Sequence, residues 1–202
     1  MKYTGRQNKS MLEELEEKAI QNRIPIIREP ERRILREALE ETEPASILEV
    51  GTAWGYSALL MASWCPQAHI DTLELDPGRA AAARSYIRQA GCEERICCME
   101  GDAAEIIPRL QGPYDFLYLD GPKGQYLRHM KMAEPLLSDD AVTAADNVLF
   151  RGWVTGPEQP PRRFRTIAVR MRAYLAYMKE QYDLHIYAEG DGLMIARRKG
   201  KK

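Results

Sequence analysis

Two short stretches of the chain carry side chains suited by type and spacing to metal-assisted proton chemistry. Asp120-Gly121-Pro122-Lys123-Gly124-Gln125-Tyr126 follows the apolar run Phe116–Leu119, and Asp146-Asn147 follows the run Ala141–Ala145. If those runs are neighbouring strands, Asp120, Asp146 and Asn147 meet at one point. Two carboxylates and an amide, completed by water or substrate, suit Mg²⁺ far better than zinc. The same residues also read as turn formers or caps. Lys123, three residues after Asp120, weighs toward chemistry, because a lysine beside a dication is a candidate general base.

A second group lies nearer the N-terminus. The run Ile47–Val50 leads into Gly51-Thr52-Ala53-Trp54-Gly55-Tyr56-Ser57. Glycines there permit a tight turn and close backbone approach to a ligand, and a following helix offers free N–H groups to a carboxylate or phosphate. A plain strand-to-helix connection is the bland alternative. A dinucleotide site would show G-x-G-x-x-G at this point, whereas Glu49 to Gly55 reads E-x-G-x-x-x-G. The next apolar run ends in Leu73-Glu74-Leu75-Asp76, which places an acid where a ribose diol would lie or at the cap of a helix after Pro77. The third ends in Gly101-Asp102-Ala103, small enough to admit a flat ring. In that order along one sheet, these signals fit an adenosine-containing ligand with a carboxylate tail.

Positioning such residues takes strands that end at a common edge. Strands are expected at Ile47–Val50, Ile70–Leu75, Ile96–Glu100, Phe116–Leu119 and Ala141–Ala145. Helical spacing lies between them at Ala80, Ala83, Ile87 and Ala90, near Ala103–Leu110 and near Tyr126–Leu137. That alternation is the pattern of strand-helix-strand units on a parallel sheet. Two amphipathic helices come first. One carries Met11, Leu12, Leu15, Ala19 and Ile20; the other opens at Pro30, carries Ile34, Leu35, Ala38 and Leu39, and stops before Pro44. After a Gly/Pro-rich stretch from Gly152 to Pro161 comes a basic helix with Ile167, Met171, Tyr174, Leu175 and Met178. Two last strands, near Leu184–Ala188 and Leu193–Ala196, are joined by the hairpin-like Glu189-Gly190-Asp191-Gly192. The fold expected is α/β: a Rossmann-like, doubly wound, mostly parallel seven-stranded sheet with an antiparallel C-terminal hairpin and extra N-terminal helices. We read residues 1–202 as one domain, with N-terminal helices over 1–43, a cofactor and metal core over 46–147, and a basic part over 148–202 completing the sheet.

The order of these motifs is similar to that of class I S-adenosylmethionine-dependent methyltransferases. The pattern D-x-x-K-x-x-Y at Asp120, Lys123 and Tyr126, with Asp146-Asn147-Val148 later, resembles the metal-dependent O-methyltransferases of the catechol and caffeoyl-CoA type. The likeness runs from the helix before Ile24 to the Gly190-Asp191-Gly192-Leu193 turn. Within that family the chain most resembles a bacterial branch that methylates 5-hydroxyuridine at the tRNA wobble position. The shared stretches are Ile24-Pro25-Ile26, the seven residues from Gly51 to Ser57, Lys123-Gly124-Gln125-Tyr126 and Gly190-Asp191-Gly192-Leu193. The Gly121-Pro122 pair and the arginine-rich segment after Pro160 depart from it.

The resemblance implies S-adenosylmethionine and Mg²⁺ as cofactors. Glu49, Gly51 and Gly55 would shape the cofactor loop, with Tyr56 beside it and Ser57 on the methionine carboxylate. Glu74 would hold the ribose hydroxyls, and Asp102 and Ala103 would line the adenine pocket. Asp120, Asp146 and Asn147 would hold Mg²⁺, with Asp120 also bordering the cofactor, and Lys123 would take the acceptor's proton. A homodimer is implied as well.

Composition sets the boundaries of this reading. Hydrophobic residues make up 45% and charged residues 29% of 202, which excludes a disordered or fibrous chain. The first 20 residues lack the apolar stretch of a secretory signal and no run approaches a membrane span, so a cytoplasmic protein is expected. Cys65, Cys92, Cys97 and Cys98 match no zinc spacing and read as ordinary thiols.

The net charge of −1 hides a split. Residues 1–150 hold 17 basic and 25 acidic side chains, net −8, and residues 151–202 hold 12 and 5, net +7. Arginine outnumbers lysine 20 to 9, a bias that favours phosphate and base-stacking contacts. Arg162, Arg163 and Arg165 form the densest group and are the candidate RNA contacts, with a tRNA anticodon loop as partner. Tyr126, Phe150 and Trp153, near the metal loops, are candidates for stacking on a splayed base, although such aromatics are more often core. A second basic group, Arg23, Arg28, Arg32, Arg33 and Arg36, is diluted by acids, and Arg197 to Lys202 read as a frayed tail. Two other functions stay open: a small-molecule catechol or caffeoyl-type O-methyltransferase, and a nucleotide-binding module without catalysis.

Overall fold

The computed structural model describes residues 5–199, with side chains from residue 11 onward. Helices α1 (Gly5–Gln21) and α2 (Glu31–Thr42) precede the first strand, β1 (Ser46–Val50). There follow α3 (Tyr56–Trp64), β2 (His69–Glu74), α4 (Pro77–Gln89), β3 (Ile96–Glu100), α5 (Ala103–Ile106), β4 (Tyr114–Leu119), α6 (Tyr126–Ala133), β5 (Leu137–Ala145), α7 (Arg165–Gln181), β6 (Tyr182–Tyr187) and β7 (Leu193–Arg198). All seven strands join one sheet in the order β3-β2-β1-β4-β5-β7-β6. Strands β1 to β5 run parallel, and β7 lies antiparallel between β5 and β6.

Alternation along the central strands builds a core on each face of the sheet. Phe116 and Tyr118 of β4 pack with Ile34, Leu39 and Leu59 beneath α2 and α3. Leu117 and Leu119 turn the other way, to Met130, Met171 and Tyr174 beneath α6 and α7. Register then sets where the loops begin. Val50 is opposite Leu119, and Leu119 is opposite Ala145, so Gly51, Asp120 and Asp146 leave three adjacent strands at one level.

Several boundaries differ from the sequence reading, each for a local reason. The helix expected over 103–110 ends at Ile106 and tightens into a 3₁₀ turn, Ile107–Arg109, around Pro108, which has no N–H to donate. The helix expected to reach Leu137 ends at Ala133, and a 3₁₀ turn around Pro135 follows. Strand β5 starts at Leu137 rather than Ala141, with Asp139 and Asp140 exposed in its first half, so polarity hid that half. Arg197 and Arg198 do not fray: they belong to β7 and pair with Glu41 at 3.2 Å and Glu134 at 3.3 Å. Lys201 and Lys202 lie outside the described residues. The four cysteines are free. Among the described residues no helix is long and apolar enough to cross a membrane.

Candidate active site

A cavity of about 1030 Å³ opens at the carboxyl ends of β1 to β5, the edge where parallel sheets place ligands. Its walls include Gly51, Glu74, Asp102, Ala103, Asp120, Lys123, Asp146 and Asn147, so eight of the sequence-predicted site residues share one space. Glu49, Gly55, Tyr56 and Ser57 do not line it.

One end of the cavity is acidic. Asp120 leaves β4 and Asp146 leaves β5, while Lys123 approaches Asp120 Oδ1 at 3.7 Å from the 3₁₀ turn Lys123–Gln125. Tyr126, buried, donates its hydroxyl to the Asp146 carbonyl at 3.0 Å, and Asp146 Oδ1 accepts the Asn147 N–H at 2.7 Å. Asn147 sits at φ 53°, a left-handed conformation that asparagine tolerates better than most residues. Burial drives both carboxyls above the usual carboxylate range. Lys123 opposes the rise at Asp120, and the charge of Asp120 adds to it at Asp146. Asp146 is buried and Asp120 partly so, and two neighbouring acids that resist ionising together are the electrostatic complement of a divalent cation. Among the described residues no group of three or more His, Cys, Asp or Glu is placed to hold a metal ion. Asp120, Asp146 and the Asn147 amide together offer oxygen atoms only, a chemistry that would suit Mg²⁺ better than zinc.

The other end is built from backbone and small residues. Gly51, at φ +109°, lies so close to the β4 loop that a Cβ would stand 2.5 Å from the Asp120 carbonyl oxygen. Glu74 is nearly buried at the end of β2, and its carboxylate accepts the N–H groups of Ala53 at 2.7 Å and Asp76 at 2.9 Å. Asp76, not Glu74, caps α4, accepting from the Arg79 N–H at 2.8 Å. Asp102 caps α5 through the Ala104 N–H at 2.8 Å, which leaves Ala103 against the cavity.

Glu49 works from behind this wall. It is fully buried, with one carboxylate oxygen accepting from the Ser57 hydroxyl and the other from Thr72 Oγ1 at 2.5 Å. Those contacts tie β1 to the first turn of α3 and to β2, fixing the loop between them. Gly55 heads α3. Tyr56 turns away to the N-terminal helices, donating to Glu16 at 2.8 Å and accepting from Arg32.

Residues 2–199 match the family model described as O-methyltransferase. The chain belongs to the O-methyltransferase family. A catechol O-methyltransferase of Niastella koreensis is 33% identical over 162 residues, covering 75% of this chain and 72% of that protein. The catechol O-methyltransferase of Bos taurus is 32% identical over 154 residues, 72% of this chain; the match spans 57% of the bovine protein's length. Among solved structures, the SAH-bound methyltransferase PaMTH1 of Podospora anserina superposes with a TM-score of 0.84 at 26% identity, covering 94% of this chain and 88% of that one. A Staphylococcus aureus protein provisionally described as a caffeoyl-CoA O-methyltransferase gives a TM-score of 0.86 at 26% identity, over 93% of this chain and 92% of that one.

Beyond the cavity of this O-methyltransferase, the basic residues divide. Arg162, Arg163 and Arg165 are exposed where α7 begins. Arg163 stacks over Phe164 at 4.5 Å, and Phe164 lies against Trp153 with ring centroids 5.1 Å apart. The stacking role read for Tyr126 and Phe150 is corrected: both are buried, and Tyr126 meets Tyr174 edge-on at 5.5 Å. Arg32, Arg33 and Arg36 are paired with Glu16, Glu37 and Glu40. Arg28, however, borders the cavity, as do Glu31, Arg79 and His129. The sequence reading passed over Glu31, Arg79 and His129 because none stands directly after a strand. The one available signal, Glu31 at the head of an amphipathic helix, looks like an ordinary first-turn acid.

Proposed function

We propose that the protein is an S-adenosylmethionine- and Mg²⁺-dependent O-methyltransferase. Its acceptor, on this reading, carries a hydroxyl beside a second oxygen. The observation that carries this is the shared cavity: two neighbouring acids, an amide and a lysine at one end, and Glu74 with the small residues Gly51 and Ala103 at the other. Methyl transfer from a sulfonium is an in-line displacement, so an oxyanion must be presented at short range and correct angle. Lys123, once it has released its own proton to solvent, accepts the acceptor's proton at Nζ. Bound S-adenosylmethionine would supply an electrophilic methyl carbon to the freed oxygen, with a neutral thioether as the leaving group. Glu74 and the backbone at Gly51 hold the adenosine end. Ala103 leaves room for its base, and the Glu49–Ser57–Thr72 network keeps the loop still. Asp120, Asp146 and Asn147 would hold the cation, which supplies charge stabilisation and bidentate orientation of adjacent oxygens.

For the acceptor, our reading is 5-hydroxyuridine at the tRNA wobble position, whose 5-hydroxyl and 4-carbonyl are adjacent. The exposed arginines at 162, 163 and 165 beside the Trp153–Phe164 pair support it, because guanidinium groups and half-exposed rings serve phosphate and base contacts. A small catechol is the second reading, favoured by the names of the relatives. Incubation with labelled S-adenosylmethionine, with and without Mg²⁺, against hydroxyuridine-containing tRNA and a catechol panel decides between them. Label on tRNA alone supports the first, label on catechols alone supports the second, and label on neither overturns the O-methyltransferase reading.

A further inference from the structure

Glu31 opens α2 yet belongs to the far side of the molecule. It is 7% exposed, borders the cavity, and accepts the Asp191 N–H at Oε1 over 3.2 Å, across 160 residues of chain. Its only hydrogen bond among the described residues is that one, and a buried carboxylate with so little support is costly. The turn it holds is shaped to receive it. Gly190, at φ +61°, presents a bare face, and a Cβ there would fall on the Glu31 carboxylate.

From this turn the contacts continue to the site. The Gly192 carbonyl accepts the Val148 N–H at 2.9 Å, the Asp191 carbonyl accepts the Leu149 N–H at 3.0 Å, and the Asp191 side chain accepts the Arg151 N–H. Val148 and Leu149 directly follow Asp146-Asn147. Three non-glycine residues of that loop, Asn147, Phe150 and Arg151, sit at φ 53°, 46° and 59°. Such backbone persists only where its surroundings over-determine it.

We propose that Glu31 is a positioning residue for methyl transfer: through the Gly190–Gly192 turn it fixes the loop that presents Asp146 and Asn147. Its catalytic consequence rests on the O-methyltransferase reading; the mechanical link does not. Loss of the carboxylate frees the turn, the turn frees residues 148–151, and the donor set at the cavity loosens while the sheet stays intact.

Amide hydrogen exchange on the full chain tests the link without substrate or metal. In Glu31→Ala and Gly190→Ala the amides of Val148, Leu149 and Arg151 should exchange at least about tenfold faster than in wild type. Glu31→Gln, which keeps an acceptor oxygen, should restore protection, and the amides of Leu117–Leu119 should not change. With the acceptor that wild type methylates, Glu31→Ala should lower kcat at least about tenfold and leave the KM for S-adenosylmethionine within about twofold. Unchanged exchange at 148–151, or equal acceleration throughout the sheet, overturns the proposal. A wild-type protein that methylates neither tRNA nor catechol defeats the function reading alone, and the exchange comparison still decides the role of Glu31.

Discussion

Glu49 offers a quantitative test of how the loop between β1 and α3 is held. Its carboxyl is fully buried, and burial raises it from 4.5 to about 7, with the hydroxyls of Ser57 and Thr72 only partly opposing the rise. An acid with a folded pKa above its unfolded value binds its proton more tightly in the folded state. Its stabilising contribution is therefore complete below pH 4.5, is lost as pH climbs to about 7, and is constant beyond. Over that interval the loss amounts to about 3 kcal/mol. Glu49→Gln keeps the shape and one acceptor oxygen but cannot titrate. Urea unfolding of both proteins at pH 4.5 and pH 8 should show wild type losing about 3 kcal/mol more than the variant between the two conditions. The other titrating groups are common to the pair and cancel, apart from Asp120 and Glu74, which interact with the Glu49 charge. Equal losses in the two proteins, within about 0.5 kcal/mol, would refute the reasoning and place the carboxylate in a wetter or better-compensated setting.

The remaining expectations concern chemistry, packing and partner. Lys123→Ala should lower kcat by about 10²- to 10⁴-fold, the range for loss of a general base, with S-adenosylmethionine affinity by calorimetry nearly unchanged. Gly51→Ala should destabilise the fold by about 2–4 kcal/mol in urea unfolding, from a disallowed φ and a Cβ pressed on the Asp120 carbonyl. It should also weaken cofactor binding. Replacing Arg162, Arg163 and Arg165 together with Ala should flatten the salt dependence of tRNA binding by about 2–3 in log–log slope, while turnover of any catechol stays at the wild-type level.

The sheet and its catalytic edge were legible because their signals are local. Apolar runs such as Phe116–Leu119 are bounded by turn residues, and a parallel sheet presents whatever follows each strand to one edge. Position alone was therefore enough to bring Asp120, Asp146, Glu74 and Gly51 together, and all four line the one cavity. Interactions that depend on distant chain segments were not legible. Nothing near Tyr56 announces that Arg32 and Glu16 engage its hydroxyl, and nothing near Glu31 announces a glycine at 190. The aromatics at 126 and 150 look like binding residues in a loop and prove to be packing beneath it. Charge counts likewise missed that Arg197 and Arg198 are strand residues with acidic partners.

The placement of β7 bears on how the protein is made. Asp146 directly follows β5, yet the hydrogen-bonding edge of β5 is completed by residues 194–197, about fifty residues later in synthesis. Until that strand emerges from the ribosome, β5 is a bare edge of small apolar residues, the kind of surface that recruits stray strands. The cavity therefore cannot mature ahead of the chain. A chain that has not reached Leu193 holds strands β1 to β5 but leaves unpaired the edge of β5, the strand that leads into Asp146.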